Sequence, residues 1–522
     1  MPDGRTALGS PLLVVAVSAC LAASGCGLFS DADATGQPSV GTPAAPAPSL
    51  ADPASTDADR PDAGTPDVGS DATGITLVTG DAATAARTVS QALWRSSPLV
   101  VVAPADDSAA VAAAADAARD LAAPLLLATD DPLQTGLVAE VDRLGARTLM
   151  LLAVDPDQPW VPDGVSIVTE ADAVPGQRPS GSVESVVLAA ATPTTAAARA
   201  TAQATGATVV VLPGDDPRES PAAIEALSAR PDAAVLAIGG RLGPQSRLAP
   251  LVAVAASGVQ LPGGGQTLFP DRRLVALYGH PATGALGVLG EQGPEQSVQR
   301  VRRLASQYEP VSDTPVVPAF ELIATVASDV PGPDGDYSNE TPIELLRPYV
   351  DAAGEAGVYV VLDLQPGRAG FVAQAKEYRD LLLEPHVGLA LDPEWRLRPD
   401  ELPLQQVGSV SVDEVEAAAD WLSRLVRTNA LPQKLLLLHQ FQQRMITDRE
   451  RLDAQRDEVA MVVQMDGDGR PGDKRATWRA LKQDAPKGLR FGWKNFYDED
   501  TPTFTPEQTM GVNPTPWWVS YQ

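Results

Sequence analysis

The sequence has 522 residues, with 67 Asp and Glu against 39 Lys and Arg, for a formal charge of −28. A chain of this length holds two or three compact units rather than one core, and its acid excess argues against nucleic-acid binding, which needs clustered cations. It has three histidines (His280, His386, His439) and two cysteines, Cys20 and Cys26, which excludes a disulfide scaffold, a cysteine-based zinc site and a thiol nucleophile.

The chain opens with Arg5 and then an apolar run, Leu12-Leu13-Val14-Val15-Ala16-Val17, which ends in the small residues Ala23-Ser24-Gly25 before Cys26. A short charged start, a short apolar core and small residues before a cysteine predict an export signal over residues 1–25, too short for a stable membrane span. Ala23-Ser24-Gly25-Cys26 resembles the lipobox of bacterial lipoproteins. That resemblance implies cleavage before Cys26, a thioether-linked, palmitate-type lipid on its sulfur, and a protein held at the outer face of the cell membrane or in the wall. Val17-Ser18-Ala19-Cys20 also fits the pattern, with a shorter apolar core, so Cys26 is preferred. Residues 26–73 then read as a tether. From Asp31 to Thr73 there are seven prolines, eight aspartates, one cation (Arg60) and no aromatic residue, too little apolar surface to offset chain entropy.

The aromatic residues divide the rest of the chain: 21 of 24 lie after residue 268. A turn-rich stretch, Gly258 to Pro270, separates an Ala- and Val-rich first half (74–257) from an aromatic second half (269–522). In the first half, short apolar runs (Ile75–Val78, Leu99–Val102, Pro124–Leu127, Thr148–Leu152, Val186–Leu188, Val209–Leu212, Val235–Ile238) alternate with helical patterns near Ala82–Trp94, Ser108–Leu121, Thr135–Leu144, Ala196–Thr205 and Ala222–Ala229. That alternation predicts parallel sheet covered by helices, a three-layer α/β domain. No glycine-rich phosphate turn comes after its first strand, so no nucleotide is expected there, and no metal or other cofactor anywhere. Arg87–Trp94, Val100-Val101-Val102-Ala103, Ala123–Leu127, Asp131-Pro132-Leu133 and Arg143-Leu144-Gly145-Ala146 resemble cell wall-binding repeat type 2, and a weaker second copy ends in Gly239-Gly240. The resemblance spans roughly residues 75–240 and implies non-covalent attachment to an anionic wall polymer.

After Pro270 eight strand candidates can be counted: Leu274–Tyr278, Val316–Leu322, Val358–Asp363, Val387–Leu391, Lys434–His439, Val459–Met465, Leu489–Trp493 and Trp517–Tyr521. Helical patterns separate most of them, at Glu295–Tyr308, Pro342–Ala356, Phe371–Leu383, Val412–Thr428 and Asp473–Gln483. Eight βα strands in about 250 residues predict a (β/α)8, TIM-like barrel, whose function sits at the C-terminal strand ends. Those ends carry Glu321, Asp363 with Gln365, Asp392 with Glu394 and Trp395, His439 with Gln440, Gln464 with Asp466, and Trp493 with Tyr497 just beyond it. The spacing of Gly284, Gly287 and Gly290 after the first strand reads as a flexible loop, and Asp466-Gly467-Asp468-Gly469 as a turn rather than a calcium loop.

Glycosidic hydrolysis needs one carboxylic acid to protonate the leaving oxygen and a second carboxylate as nucleophile or base. Glu394 is the candidate acid, with Asp392 or Asp466 as its partner and Asp363 and Glu321 as further catalytic candidates. Trp395, His439, Gln440, Gln365, Gln464, Trp493 and Tyr497 are candidate substrate contacts; Trp517 and Trp518 either offer further rings for stacking or plug the barrel bottom or the domain interface. The set is similar to sugar-processing barrels in fold and site composition, and Leu391-Asp392-Pro393-Glu394 to the strand ending of chitinase-like barrels. The expected function is a glycoside-hydrolase-like lipoprotein acting on envelope polysaccharide. The alternative is a surface lipoprotein that grips carbohydrate without cleaving it.

Overall fold

A computed structural model of the chain describes residues 64–170, 174 and 177–522. The expected signal, the lipid sites Cys26 and Cys20 and nearly all of the tether lie outside the described residues. Within the segment read as tether, Asp67–Val68 pairs antiparallel with Trp94–Ser96, and Val68 is buried. Among the described residues no helix is long and apolar enough to cross a membrane.

The first half forms two four-stranded parallel sheets. One orders its strands Leu125–Ala128, Leu99–Pro104, Thr148–Leu151, Ser166–Val168; the other Ile75–Val78, Val235–Ile238, Val186–Ala190, Thr208–Leu212. Continuous apolar runs such as Leu99–Ala103 suit strands covered on both faces, and all five of those residues are buried. The first strand of the half, Ile75–Val78, pairs with the last, Val235–Ile238, so the two sheets are interlocked by chain order. Helix Ala82–Leu93 packs on helix Ala196–Gln203, and one apolar cluster joins Val100 and Val102 of the first sheet to Val187 and Leu236 of the second. The Trp94 indole N–H donates to the Thr201 carbonyl at 3.1 Å across this seam. A helix over Gln245–Ser257, absent from the expected elements, completes the half.

The second half is a closed ring of eight parallel strands: β1 (Arg273–Gly279), β2 (Val316–Ala327), β3 (Tyr359–Leu364), β4 (Val387–Leu391), β5 (Lys434–Gln440), β6 (Val459–Met465), β7 (Arg490–Asn495) and β8 (Trp518–Tyr521). β1 pairs with both β2 and β8, which closes the barrel. Around it run α1 (Pro294–Ser306), α2 (Ile343–Ala356), α3 (Phe371–Glu377), α4 (Arg379–Leu382), α5 (Val412–Thr428), α6 (Pro471–Leu481) and α7 (Pro506–Met510). The last is a short helix between β7 and β8, where the sequence offered no helical pattern; Thr505 and Gln508 form its capping box. β2 runs past the expected end at Leu322 and pairs with a short antiparallel strand, Ser338–Glu340.

Period-two alternation sorts each strand between two cores. Inward positions, among them Ala276, Ala319, Val361, Ala390, Leu437, Val462 and Trp518, fill the barrel interior. Their neighbours Leu277, Leu322, Leu362, Leu391, Leu438 and Val463 pack outward on the helices. Leu261, Leu268 and Phe269 from the turn-rich connector join the interior cluster, with Trp517 against Phe269 at 5.5 Å between ring centroids. Trp517 and Trp518 therefore close the bottom of the barrel, one of the readings open for them, and are not sugar-stacking faces. Arg247 of the first half pairs with Asp457 of the barrel at 2.9 Å, and the Gln433 backbone N–H donates to the Gln266 carbonyl at 2.9 Å.

The glycines after β1 also differ from the expected flexible loop. Gly284–Leu286 and Val288–Glu291 form two tight turns, and Leu289 is fully buried. Gly287 has φ +119°, and a Cβ there would lie 2.6 Å from the Tyr278 carbonyl oxygen. Gly287→Ala is expected to destabilise the barrel by at least about 2 kcal/mol, through both the strained backbone and the clash. Denaturant unfolding of the full chain checks this; an unchanged midpoint contradicts it.

Candidate functional site

The alternation that fills the barrel with apolar side chains continues to the C-terminal mouth, where the inward positions become polar. Two residues beyond Ala276 comes Tyr278, two beyond Ala319 comes Glu321, and two beyond Val361 comes Asp363. Asp392 comes two after Ala390, His439 two after Leu437, Gln464 two after Val462, and Ser520 two after Trp518. Asp466, one residue past the end of β6, and Lys494 on β7 have the same parity. The ring thus carries a collar of side chains that meet one another.

His439 is the hub. Its Nε2 lies 2.6 Å from Glu321 Oε1 and its Nδ1 3.0 Å from Asp466 Oδ2, with Asp392 Oδ2 at 3.7 Å. Lys494 Nζ sits 2.9 Å from Asp466 Oδ1 and 3.8 Å above the centroid of the Tyr278 ring. The Tyr278 hydroxyl donates to Asp363 Oδ2 at 3.0 Å and accepts from Gln365 Nε2 at 3.3 Å. Gln464 Nε2 donates to Ser520 Oγ at 2.8 Å and to Glu321 Oε2 at 3.3 Å. Glu321, Asp363, His439 and Gln464 have no exposed surface; Glu394 and Trp395, in the turn Pro393–Trp395, are half-buried at the rim.

Burial and charge set the protonation of this collar. Burial alone would lower His439, but the carboxyls of Asp363, Glu321 and Asp466 hold it well above the ordinary imidazole value, so both nitrogens donate. Burial lifts Asp363 to about 6, with the His439 charge opposing. It pushes Asp392 well above the usual carboxylate range, against His439 and with the help of Asp363, Glu394 and Asp466. Burial, and then the charge of Asp466, carry Glu394 to about 7. Asp466 is the exception: burial would raise it, yet Lys494 and His439 together hold it below the ordinary range. In turn Lys494 stays above the ordinary lysine value, because Asp466 and Glu321 outweigh its burial.

Asp363, Asp392 and His439 bring ligand atoms within 4.8 Å of one another, a spacing suited to a small cation. In the geometry observed, however, His439 has a carboxyl at each ring nitrogen and no lone pair to offer, so the set does not fit a metal.

The structure brings Glu321, Asp363, Asp392, Asp466, His439, Gln365 and Gln464 together, with Glu394 and Trp395 at the rim. Three candidates fall elsewhere. Trp493 has the outward parity of β7: it is fully buried against Trp478 and Phe504 behind the barrel wall, and its indole N–H donates to Asn495 Oδ1 at 2.8 Å. Gln440 also points outward, where its Oε1 accepts from Arg449 Nη1 at 2.9 Å. Tyr497 stacks on Tyr521 with ring centroids 5.3 Å apart, and Tyr521 bonds Tyr308 behind the wall. Tyr278 and Ser520 are absent from the candidates read from sequence, and Lys494, which that reading places at a strand end, has no role in it. The signal for them was parity, since each lies two residues past a small or apolar inward residue (Gly492, Ala276, Trp518).

A buried acid whose folded pKa is raised lowers stability when it ionises. Asp363 ionises near its ordinary 3.8 in the unfolded chain and at about 6 in the folded one, so folding loses free energy as pH rises between those values. Asp363→Asn is expected to leave stability unchanged at pH 4 and to raise it by about 1–3 kcal/mol at pH 8. Unfolding curves at the two pH values test this, and equal destabilisation at both contradicts it.

No family model matches the chain, and no curated protein matches it. Among solved structures it is similar to Cwp6 from Clostridium difficile, with 12% identity and a TM-score of 0.27, over 50% of this chain and 64% of that one. The chain thus spans less than two thirds of the length of that protein, at a level of likeness that fixes neither family nor activity.

Proposed function

We propose that the barrel is a glycoside-hydrolase-like domain that cleaves envelope polysaccharide at its C-terminal mouth. The observation that carries this reading is a pair of carboxyl groups at the rim whose surroundings drive their proton affinities apart. Glu394, lifted to about 7, keeps its proton near neutrality and donates it to the leaving glycosidic oxygen. Asp466, held ionised by Lys494 and His439, serves as nucleophile or as the base that activates water. Opposed environments for two acids are the mark of an acid/base division of labour. Trp395 supplies a ring at the rim for the apolar face of a sugar. Asp392, Asp363 and Glu321 act on the reaction only by holding the charges around His439.

In the same reading, the first half attaches the protein to an anionic wall polymer, and a lipid on Cys26 holds it at the outer face of the membrane. Incubation of the full chain with purified cell-wall polysaccharide fractions tests the catalytic part. New reducing ends that disappear in Asp466→Asn are expected. Retention of polymer with no new reducing ends would favour the non-catalytic carbohydrate-binding alternative, which the complete burial of the inner collar also suits.

A further inference from the structure

Beside the mouth, a cavity of about 320 Å³ is lined by Arg368, Arg396 and Arg398 with Ser409, Ser411 and Thr447. The protein carries a large acid excess, so three guanidinium groups around one hollow are a local reversal of charge. The charges inside do not cancel. Glu414 pairs with Arg396 at 2.9 Å, which leaves two cations without a carboxylate. Arg368 Nη2 donates to the Glu401 backbone carbonyl at 2.8 Å and its guanidinium lies over the Tyr337 ring, while its Nε is buried with no acceptor. The side chain of Arg398 makes no ion pair among the described residues; its backbone N–H donates to the Glu401 carboxylate at 2.8 Å and its carbonyl accepts from the Glu401 N–H at 3.0 Å.

An uncompensated pair of guanidinium groups around a hollow with hydroxyls suits an oxyanion, which accepts from the planar N–H fork in two places. The loop that carries Glu394 also carries Arg396 and Arg398, and it is pinned in place: the Gly408 N–H donates to the Glu394 carbonyl at 2.7 Å, and Leu397 donates to Gly367 at 2.7 Å. Two of the three cavity arginines and the rim acid therefore belong to one fixed loop.

We propose that this cavity is an oxyanion subsite, which takes a phosphate or carboxylate group borne by the polysaccharide that the mouth receives. The identity of the polymer rests on the hydrolase reading of the barrel; the capacity to bind the anion does not. The test uses the full chain, with inorganic phosphate and glucuronate as separate probes in calorimetric titrations at constant ionic strength. The wild type is expected to bind at least one probe, and which one identifies the anion. Arg398→Ala, at an exposed position, should weaken that binding at least about fivefold, and Arg368→Gln at least about tenfold. Absence of binding by either probe, or binding untouched by both arginine substitutions, overturns the proposal. Because no turnover is read, a protein that binds the anion but cleaves nothing refutes the hydrolase reading alone.

Discussion

Glu394→Gln is expected to lower the rate of polysaccharide cleavage at least about 100-fold while leaving polymer binding in place, since a positioned general acid contributes roughly 10²–10⁴. The amide keeps the size and much of the hydrogen bonding of the side chain but has no proton to give. The pH profile supplies a second reading of the same group. With Glu394 lifted to about 7 by burial and by Asp466, wild-type activity should fall as pH rises through about 7, because the acid is then lost. A substrate with an activated leaving group, which needs little protonation, should be cleaved by the variant at a rate close to that of the wild type and without the alkaline limb. Initial rates from pH 5 to 9 on both substrates settle the matter. An unaltered alkaline limb in the variant would assign it to another group and remove Glu394 from the role.

Lys494→Met should have the largest effect on the fold. Lys494 and Asp466 form a nearly buried ion pair at 2.9 Å, and removing one partner of such a pair costs about 3–5 kcal/mol, because the other charge is left uncompensated. The sign with pH is set by Asp466. In the wild type its folded value lies below its unfolded value, so its contribution is present at neutral pH and is lost only on strong acidification. Without Lys494, only His439 opposes burial, and the folded value of the carboxyl rises. The variant then falls further behind the wild type as pH rises, and stands closest to it in acid. Catalysis should shift in parallel: Asp466 ionises at higher pH, its limb moves toward that of Glu394, and the active window narrows. Unfolding curves at pH 4 and pH 8 decide; an equal loss at both would show that Lys494 acts by packing alone.

The eight strands of the barrel were readable because each is a short apolar run bounded by turn residues. Val387–Leu391 and Val459–Met465 fall where the pattern places them. Helix Val412–Thr428 was readable for the same reason, with Ser411 as its cap and a buried stripe along one face. The mouth was only half readable. Carboxylates at strand ends stand out by residue type, so Glu321, Asp363, Asp392 and Asp466 were easily named. Trp493, Gln440 and Tyr497 were named by type as well, and on type alone a tryptophan or glutamine beside a strand end is as good a candidate as its neighbour. A shift of one residue sends a side chain to the other face of a strand, which is why Trp493 packs behind the wall while Lys494 enters the site.

The sequence by itself determined the alternation of strands and helices, the count of eight and the acidic character of the strand ends, because these are local properties of apolar periodicity and composition. The tertiary structure alone decided which acids hold their protons and which stay charged. That depends on His439 and Lys494 reaching, from separate strands, carboxyl groups that lie between 27 and 118 residues away along the chain, and on burial that strengthens every charge enclosed with them. It likewise decided the cavity of arginines, where Arg368 from the loop after β3 meets Arg396 and Arg398 from the loop after β4.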